Sequence, residues 1–335
     1  MLRRILFMLV MLVLVVVVAL ALVKHHADKH FYDGYSAEYP LNSIAEEPTL
    51  VEGTVEAFHQ TLPAHYRRQR IEFESQPGER VPAIMTLPVD AAEPVPVLIL
   101  LHGSHQEKEF VEEICTPFNE AGFAMICFDQ HMRGERKVRG SVLKTMKAFR
   151  DRCYKTVHDT RRLIDYLATR KDIDSNRVYL IGASYGAITG TVVIAQEKRI
   201  RAAALVVGGG NFMLLANAPE VRKELPRWLW PVAGPLMVVA AGVADPLHHA
   251  AQTVGTPIIM LNGSNDGVVT PESGKALYAA LGEPKEIRWY PVDHPDREAK
   301  GEEVIKMLGD GLAWFLNQDA PFRKEAKKEN NDGTE

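Results

Sequence analysis

Three residues in different parts of the sequence have the types and order needed for nucleophilic attack on a carbonyl group. Ser184 stands at the centre of G-A-S-Y-G at 182–186, which matches the G-x-S-x-G pattern of a tight strand-to-helix turn. Asp266 and His294 each follow a later apolar segment of strand length. Because a serine hydroxyl is a weak nucleophile, it needs a histidine base that an acidic residue orients. The sequence therefore predicts a triad with Ser184 as nucleophile, His294 as base and Asp266 as acid.

The assignments in this triad have alternatives. Asp266 is also suited to capping the helix that follows it, and Asp293 would serve as the acid in its place. His294 would otherwise be an ordinary surface histidine. A dinucleotide-binding loop is excluded at the turn, because G-x-G-x-x-G requires glycine where Ser184 stands.

Acyl transfer also needs two backbone N–H groups directed at the negative charge that develops on the carbonyl oxygen. Tyr185, directly after the nucleophile, supplies one. An earlier apolar segment is followed by H-G-S-H at 102–105. We expect the Ser104 amide to supply the second donor, with His105 as the alternative. His102 is expected to be structural.

An alternation of strand-like and helix-like segments surrounds these residues. Two segments with alternating polarity predict an antiparallel hairpin, and repeated strand–helix units follow it. Such repeats predict an α/β fold with a mostly parallel central sheet wrapped by helices. The predicted strands cover 70–75, 81–87, 97–101, 123–128, 178–181, 202–207, 257–261 and 286–290. The predicted helices cover 107–121, 154–169, 185–196, 272–281 and 302–317.

From about Arg70 to Asn317 the chain resembles the α/β-hydrolase superfamily, most closely its bacterial esterase, dienelactone-hydrolase-like and acyl-peptidase-like branches. The resemblance is carried by L-H-G at 101–103, the turn around Ser184, G-S-N-D-G-V-V at 263–269, and His294. It implies an α/β-hydrolase fold that acts through a Ser-Asp-His triad.

Two positions depart from relatives in that superfamily. Dienelactone hydrolase proper has cysteine where Ser184 stands, so it is less similar. R-G-E-R at 133–136 resembles a loop that contains His-Gly-Glu-Arg in some relatives. Because Arg133 replaces that histidine, we expect no catalytic role for this loop.

The segment from Val207 to Pro257 is too long for an ordinary connection between two strands. In this superfamily an insertion of this kind, at about 209–255, resembles a helical cap over the active site. It carries no charged side chain from Trp228 to Val243. We expect a buried cap helix; the alternatives are an apolar acyl pocket and a surface that enters a bilayer. An apolar cap favours hydrophobic ester substrates.

The amino-terminal part of the sequence is apolar without interruption from Ile5 to Val23 and follows two arginines. As a helix this run would extend about 28 Å, close to the thickness of a bilayer's hydrocarbon core. We interpret residues 1–24 as a transmembrane anchor, with a cleaved signal peptide as the alternative. The charge distribution favours an inside amino terminus, so the body is expected in the periplasm or outside the cell. Cleavage would make the protein secreted.

The rest of the chain divides by composition. Residues 25–68 are polar and irregular and are expected to form a juxtamembrane linker, 69–318 the hydrolase domain, and 319–335 a disordered charged tail. A hydrophobic fraction of 46% and a charged fraction of 24% exclude a disordered chain and a multi-span membrane protein. A net charge of -4 provides no basic footprint for nucleic acid. The three cysteines are too few for a disulfide scaffold and are expected to be buried thiols, with one bridged pair in an oxidising compartment as the alternative.

These patterns predict an exported, membrane-anchored serine hydrolase that cleaves small carboxylic esters through an acyl-enzyme and needs no metal or organic cofactor. A peptidase or thioesterase with the same triad is the nearest alternative. A non-catalytic binding module on the same fold is the alternative from another class. Such modules typically lack one triad residue, whereas all three types are present here.

Overall fold

The computed structural model describes residues 22–91, 94–295 and 301–332, in two compact units with the boundary in the sequence between Ser36 and Ala37. In the first unit, residues 22–29 form helix α1. Most of the predicted anchor at 1–24 lies outside the described residues. Among the residues that are described, one segment, Arg227–Ala244, has the length and hydropathy of a membrane-crossing helix.

The second unit contains a ten-stranded sheet in its described part. The strands are β1 (Ile44–Ala45), β2 (Thr49–Ala57), β3 (Gln60–Gln76), β4 (Glu79–Leu87), β5 (Val95–Leu101), β6 (Ala124–Phe128), β7 (Ile173–Ala183), β8 (Ile200–Val206), β9 (Ile258–Gly263) and β10 (Lys285–Tyr290). The helices are α2 (Phe110–Ile114), α3 (Thr116–Glu120), α4 (Val142–Leu167), α5 (Tyr185–Gln196), α6 (Phe212–Ala216), α7 (Pro219–Lys223), α8 (Trp230–Ala241), α9 (Pro271–Ala280) and α10 (Gly301–Asp332).

The strands lie in the order β1-β3-β4-β6-β5-β7-β8-β9-β10, and β2 pairs with the free part of β3. Pairing is antiparallel from β1 to β4 and between β4 and β6, and parallel from β6 through β10. The predicted α/β class with a mostly parallel sheet is therefore confirmed. In parallel strands the carboxyl ends meet at one edge of the sheet, so the loops after β5, β7, β9 and β10 converge there.

Burial explains why the central strands have continuous apolar sequences. The β6 strand is buried at all five positions, and β5 is buried from its second position onward. Helices on both faces remove these side chains from water, as a parallel sheet requires. The three cysteines, Cys115, Cys127 and Cys153, are buried, and none of them forms a disulfide.

The amino-terminal part of the second unit differs from the linker predicted at 25–68. Residues 49–76 form a long two-stranded ribbon, in which β2 pairs with β3 from Thr49 opposite Arg68 to Ala57 opposite Gln60. Alternation of apolar residues at 51, 55 and 57 is weak because most of β2 faces solvent. Pairing between β2 and β3 therefore gives regular structure to a segment that has the composition of a loop.

The carboxyl-terminal tail and one predicted helix also differ from the sequence interpretation. Helix α10 continues to Asp332, whereas 319–335 is predicted to be disordered. The helix predicted at 107–121 is divided into α2 and α3, because Pro117 begins a new helix in its first turn.

Arg162 fastens the start of the second unit to helix α4. Its guanidinium donates hydrogen bonds to the carbonyl oxygens of Ala37 and Tyr39, and the side chain is 1% exposed. A buried arginine with carbonyl partners holds the backbone firmly. The chain is therefore attached to the body of the protein from residue 37 onward.

The insertion at 209–255 is helical, but its apolar helix is not buried. Trp228, Val232, Leu236 and Val239 are exposed, and 22% of the Arg227–Ala244 segment is buried. The expectation of a buried cap helix is therefore wrong. An apolar composition indicates that a helix is stabilised by burial against another surface. It does not indicate that this surface belongs to the same chain.

Candidate active site

Ser184 lies in a strained turn between β7 and α5. Its backbone φ of 53° and ψ of -113° are unusual for a residue other than glycine. A Cβ atom at Gly186 would lie 1.9 Å from the Leu101 carbonyl oxygen, and one at Gly182 would lie 2.4 Å from the Gly186 carbonyl oxygen. Both glycines are thus required by close backbone approach, which holds the serine out from the end of the strand.

Asp266 and His294 follow neighbouring parallel strands, and their two loops are bonded to each other. The Ser264 amide and hydroxyl both donate to the Tyr290 carbonyl oxygen, at 2.7 and 3.0 Å. The loops therefore form one packed layer beside the serine turn, which fixes the separation of the acidic and basic side chains.

The three side chains form a continuous hydrogen-bonded chain. Ser184 Oγ lies 3.0 Å from His294 Nε2, and His294 Nδ1 lies 2.7 Å from Asp266 Oδ2. The other oxygen of Asp266 accepts from the Val268 and Val269 amides at 2.8 and 2.7 Å. Asp266 thus orders its own loop with one oxygen and the imidazole with the other. The Asp266 side chain is 1% exposed and that of His294 17%, so the pair is largely shielded from water.

The alternative acid, Asp293, does not occupy this position. It is exposed, and the hydrogen bond to His294 Nδ1 is made by Asp266. The structure therefore brings together the three side chains that the sequence predicts, whereas their catalytic roles stay predictions.

The loop after β5 reaches the same edge of the sheet. Ser104 lines the cavity beside Ser184, and its hydroxyl lies 3.0 Å from His105 Nδ1. The Gly103 amide donates to Gln106 Oε1 at 2.8 Å, which closes the loop into a compact turn. Tyr185 places its backbone amide at the amino terminus of α5, where the helix dipole favours negative charge. The roles of Ser104 and Tyr185 as oxyanion donors stay predictions.

His102 supports this loop from below. It is fully buried, its Nδ1–H donates to the Gly103 carbonyl oxygen at 2.8 Å, and its Nε2 accepts from the Gln130 amide at 3.3 Å. Burial lowers the pKa of His102 to about 4, because the charged imidazolium would lose its hydration. The neutral ring thus joins the β5 loop to the β6 loop, and a structural role fits its contacts.

Arg152 packs on the residue that follows the serine. Its guanidinium carbon lies 3.8 Å from the centre of the Tyr185 ring, and the arginine is buried. Such cation–π contacts stabilise buried aromatic groups in a fixed orientation. The Tyr185 side chain is thereby held by helix α4, while its amide remains at the serine turn.

A cavity of about 830 Å³ opens at Ser184 and His294. Most of its wall is apolar, and it also contains glutamates 107, 109 and 113. Glu107 forms an ion pair with Lys137 and Glu109 with Lys108. The apolar side chains come from the ribbon, strands β5, β7 and β8, and helices α2 and α10: Phe58, Leu100, Phe110, Ile114, Ile181, Val206, Val207, Val304, Met307 and Leu308. A cavity of this size and polarity is suited to a small molecule with an apolar part.

Phe58 enters this cavity from the tip of the β2–β3 ribbon. Phe58 and His59 form the two-residue turn with φ values of 50° and 56°, as a tight hairpin requires. The Phe58 ring meets the Phe110 ring edge to face, with 6.3 Å between centroids. A Cβ at Gly301 would lie 2.2 Å from the Phe58 carbonyl oxygen, so the start of α10 presses directly on the turn.

Sequence reasoning missed this wall of the cavity. The sequence predicts that the insertion at 209–255 covers the active site, whereas the cavity-lining residues of the described chain come from other elements. The signal for Phe58 was present as alternating apolar residues on both sides of a two-residue turn, at 51, 55 and 57 and then at 62, 64 and 66.

The fold, the strained serine turn and the neighbouring histidine define a serine hydrolase of the α/β-hydrolase superfamily. Residues 118–317, more than half of the chain, match the model of the prolyl oligopeptidase family, peptidase family S9. The chain belongs to this family.

Individual relatives include esterases. Esterase YjfP of Escherichia coli (strain K12) is 25% identical over 220 residues, which are 64% of this chain and 86% of that protein. The acetyl xylan esterase of Paenibacillus sp. R4 superimposes with a TM-score of 0.62 at 18% identity, over 85% of this chain and 92% of its own. Acetyl xylan esterase 1 of Thermoanaerobacterium sp. JW/SL YS485 gives the same TM-score and identity over 85% and 93%. At this identity the two structures support the fold alone.

Proposed function

We propose that this protein is a membrane-anchored carboxylic ester hydrolase whose catalytic domain lies outside the cytoplasm. The observation that carries the proposal is the hydrogen-bonded chain from Ser184 through His294 to Asp266 at the mouth of an apolar cavity. The esterase that matches most of the chain by sequence gives further support for ester substrates.

Acylation begins when Ser184 Oγ attacks the ester carbonyl carbon and His294 Nε2 takes the hydroxyl proton. Asp266 holds the imidazole in the tautomer that accepts at Nε2 and stabilises the imidazolium that forms. The Tyr185 and Ser104 amides donate to the oxyanion. When the intermediate collapses, the bond to the alcohol oxygen breaks, and His294 gives its proton to that oxygen.

Deacylation repeats the same steps with water as the nucleophile. His294 removes a proton from water as the water oxygen attacks the acyl-enzyme carbonyl. The bond to Ser184 then breaks, and the serine regains its proton from the imidazolium. The products are a carboxylic acid and an alcohol.

The cavity composition suggests which esters bind well. Apolar side chains from the ribbon and from α10 would surround a hydrocarbon group, and burying each methylene contributes about 0.8 kcal/mol. The described residues that line the cavity include glutamates 107, 109 and 113 but no lysine or arginine, so an anionic group would find no cationic partner there. We therefore expect neutral, hydrophobic esters to be preferred.

Membrane attachment is proposed from the sequence. The apolar run from Ile5 to Val23 has the length of a membrane span, and two arginines precede it. Attachment is tested by carbonate extraction of membranes that contain the full chain. Retention in the membrane pellet is expected, and complete release would contradict it.

The catalytic assignment is tested by fluorophosphonate labelling of the full chain and of Ser184→Ala. The parent should be labelled and the variant should not, with turnover of a soluble ester reduced by about 10⁴-fold or more. Ser104→Ala is the matched control, because it removes a hydroxyl in the same cavity and keeps the proposed amide donor. Labelling of Ser184→Ala, or no labelling of the folded parent, would contradict the assignment.

The family match favours a second candidate, a peptidase with the same triad. Comparison of acyl esters with peptide anilides on one preparation separates the two. A higher kcat/KM for esters, lost in Ser184→Ala, supports the esterase. Preference for anilides would replace the proposed substrate class and leave the nucleophile unchanged.

A further inference from the structure

One face of the insertion presents a continuous apolar surface to solvent. Val232, Leu236 and Val239 follow the spacing of one face of α8, and Trp228 lies in the 3₁₀ turn Arg227–Leu229 just before it. Trp228, Val232, Leu236 and Val239 are 76%, 42%, 55% and 61% exposed. The sequence has no charged residue from Trp228 to Ala244. Exposed apolar surface of this extent marks an interaction site.

The helix that carries this surface is suited to lie on a membrane and not to cross it. The apolar segment Arg227–Ala244 has 18 residues, but only the 12 of α8 are α-helical, with 3₁₀ turns at 227–229 and 242–244. Helix α8 is therefore about 18 Å long against roughly 30 Å of hydrocarbon. Hydrogen bonds near both ends connect α8 to the rest of the insertion. Asp245 accepts from the Asn211 and Phe212 amides at 3.0 and 2.6 Å, and Trp230 Nε1 donates to the Arg222 carbonyl oxygen at 2.9 Å.

The tryptophan end of the surface carries positive charge. The guanidinium carbons of Arg222 and Arg227 lie 5.6 and 6.0 Å from the Trp230 ring centre, beside exposed Trp228. Tryptophan at the boundary of an apolar face, with arginine next to it, matches the level of lipid headgroups and their phosphates. This combination of chemistry favours lipid over an uncharged apolar partner.

Chain length also favours a lipid surface. The apolar run ends at Val23, and Arg162 fastens the chain from Ala37 onward. The residues between them reach at most about 45 Å even when fully extended. If the run is embedded, as proposed above, this short connection keeps the body near the bilayer and raises the effective concentration of lipid at any apolar surface.

We propose that Trp228, in the 3₁₀ turn before α8, and Val232, Leu236 and Val239 on α8 enter the interfacial layer of the membrane; these four residues are called the α8 face. Trp228 lies at headgroup level, and Leu236 and Val239 contact acyl chains. The inference rests on the proposed membrane attachment and is independent of the catalytic assignment.

The test uses the full chain reconstituted into vesicles of phosphatidylcholine and phosphatidylglycerol, with or without brominated acyl chains that quench indole fluorescence. Bromination should quench the parent, and Trp228→Phe should remove most of the quenched signal. Leu236→Asp should reduce quenching by at least about half, because a carboxylate is costly in the apolar layer. Leu50→Asp is the matched control, since Leu50 on the β2–β3 ribbon is 53% exposed and lies outside the α8 face. It should quench as the parent does.

Each other outcome has a defined meaning. Flotation with the vesicles but no Trp228-dependent quenching overturns the inference and leaves the attachment standing. Failure to float overturns both. If Leu236→Asp instead converts a dimer to a monomer without changing quenching, the face binds a second copy of the chain and the inference is wrong. Circular dichroism spectra and thermal unfolding midpoints of all variants, measured in parallel, establish that they are folded.

Discussion

The β2–β3 ribbon and the insertion at 209–255 are both additions to the hydrolase sheet, and they relate to the cavity in opposite ways. The ribbon is polar and was expected to be a linker from its composition, yet its tip places Phe58 in the cavity wall. The insertion is apolar and has the length of a cap, yet among the described residues it supplies none of the cavity lining. Backbone pairing decides which addition reaches the site, and hydrophobicity does not.

The largest expected effect concerns the loop that contains Asp266, which the insertion contacts through a hydrogen bond from Glu220. Asp266→Asn should lower kcat by about 10⁴-fold, because an amide cannot hold the imidazole in the required tautomer. Glu220→Ala is the matched control. The Glu220 amide donates to the Gly267 carbonyl oxygen at 3.1 Å, a bond that the substitution keeps. We expect less than about a twofold change there, and a loss comparable to that of Asp266→Asn would mean that the insertion belongs to the catalytic machinery.

A smaller effect is expected at the ribbon tip. Phe58→Ala should lower kcat/KM for long-chain esters by about 10-fold and leave acetyl esters nearly unchanged, because the lost contact is with hydrocarbon. Leu50→Ala on the same ribbon, outside the cavity, serves as the control. Steady-state kinetics on an acyl-length series measure the difference. An equal loss for acetyl and long-chain esters would show that the tip supports the fold and not substrate selection.

A stability effect follows at the contact between the tip and α10. Gly301→Val introduces a Cβ where only 2.2 Å separates that position from the Phe58 carbonyl oxygen. Overpacking of this kind costs about 1–3 kcal/mol, so the midpoint of thermal unfolding should fall by several degrees. Gly309→Val, on the same helix with no atom within 4 Å of its added Cβ, is the control. Gly309→Val should keep or slightly raise the midpoint, because valine has a higher helix propensity than glycine. An equal loss in both variants would show that the contact with Phe58 does not explain the loss at Gly301.

The last comparison concerns the dependence of stability on pH. The pKa of His102 is about 4 in the folded protein against an ordinary value of 6.5, because its charged form is buried. Between pH 4 and 6.5 the unfolded chain therefore binds more protons than the folded protein. The stability that neutral His102 contributes is complete above about pH 6.5 and is lost as the pH falls towards 4. Burial also lowers the pKa of His249 in the insertion, which is less fully buried.

Thermal unfolding midpoints at about pH 7.5 and 5 therefore show whether His102 at the sheet edge or His249 in the insertion contributes more to the loss of stability in acid. His102→Gln should reduce the acid-induced drop in midpoint more than His249→Gln does. The reverse order would mean that the insertion loses its structure first in acid.

The elements around Ser184 were predictable because local chemistry and topology agree there. Gly182 and Gly186 are required by backbone contacts that any serine turn of this type makes. Asp266 and His294 follow parallel strands, and strand direction alone places such loops together. The mostly parallel sheet was predictable for a related reason, since strands buried on both faces have continuous apolar sequences.

The ribbon and the insertion were not predictable from the same signals. In β2 one face is exposed, and in the cavity wall Phe58 belongs to a turn that has neither proline nor glycine. Pairing of the flanking strands imposes the positive φ values of Phe58 and His59. The conformational propensities of these two residues do not predict that pairing. For α8 the sequence indicates an apolar helix but not which surface covers it.

The position of the hairpin turn at Phe58 and His59 depends on the length of the ribbon, which can change without altering the proposed catalytic groups. Because side chains alternate along a strand, lengthening β2 and β3 by one residue each would point the tip residue to the opposite face. Lengthening both by two residues would restore the face and move the tip by about 7 Å. Divergence among descendants, or directed evolution, therefore has discrete steps available here: paired insertions in the ribbon change the position of this wall of the cavity while the serine turn and its partners stay unchanged.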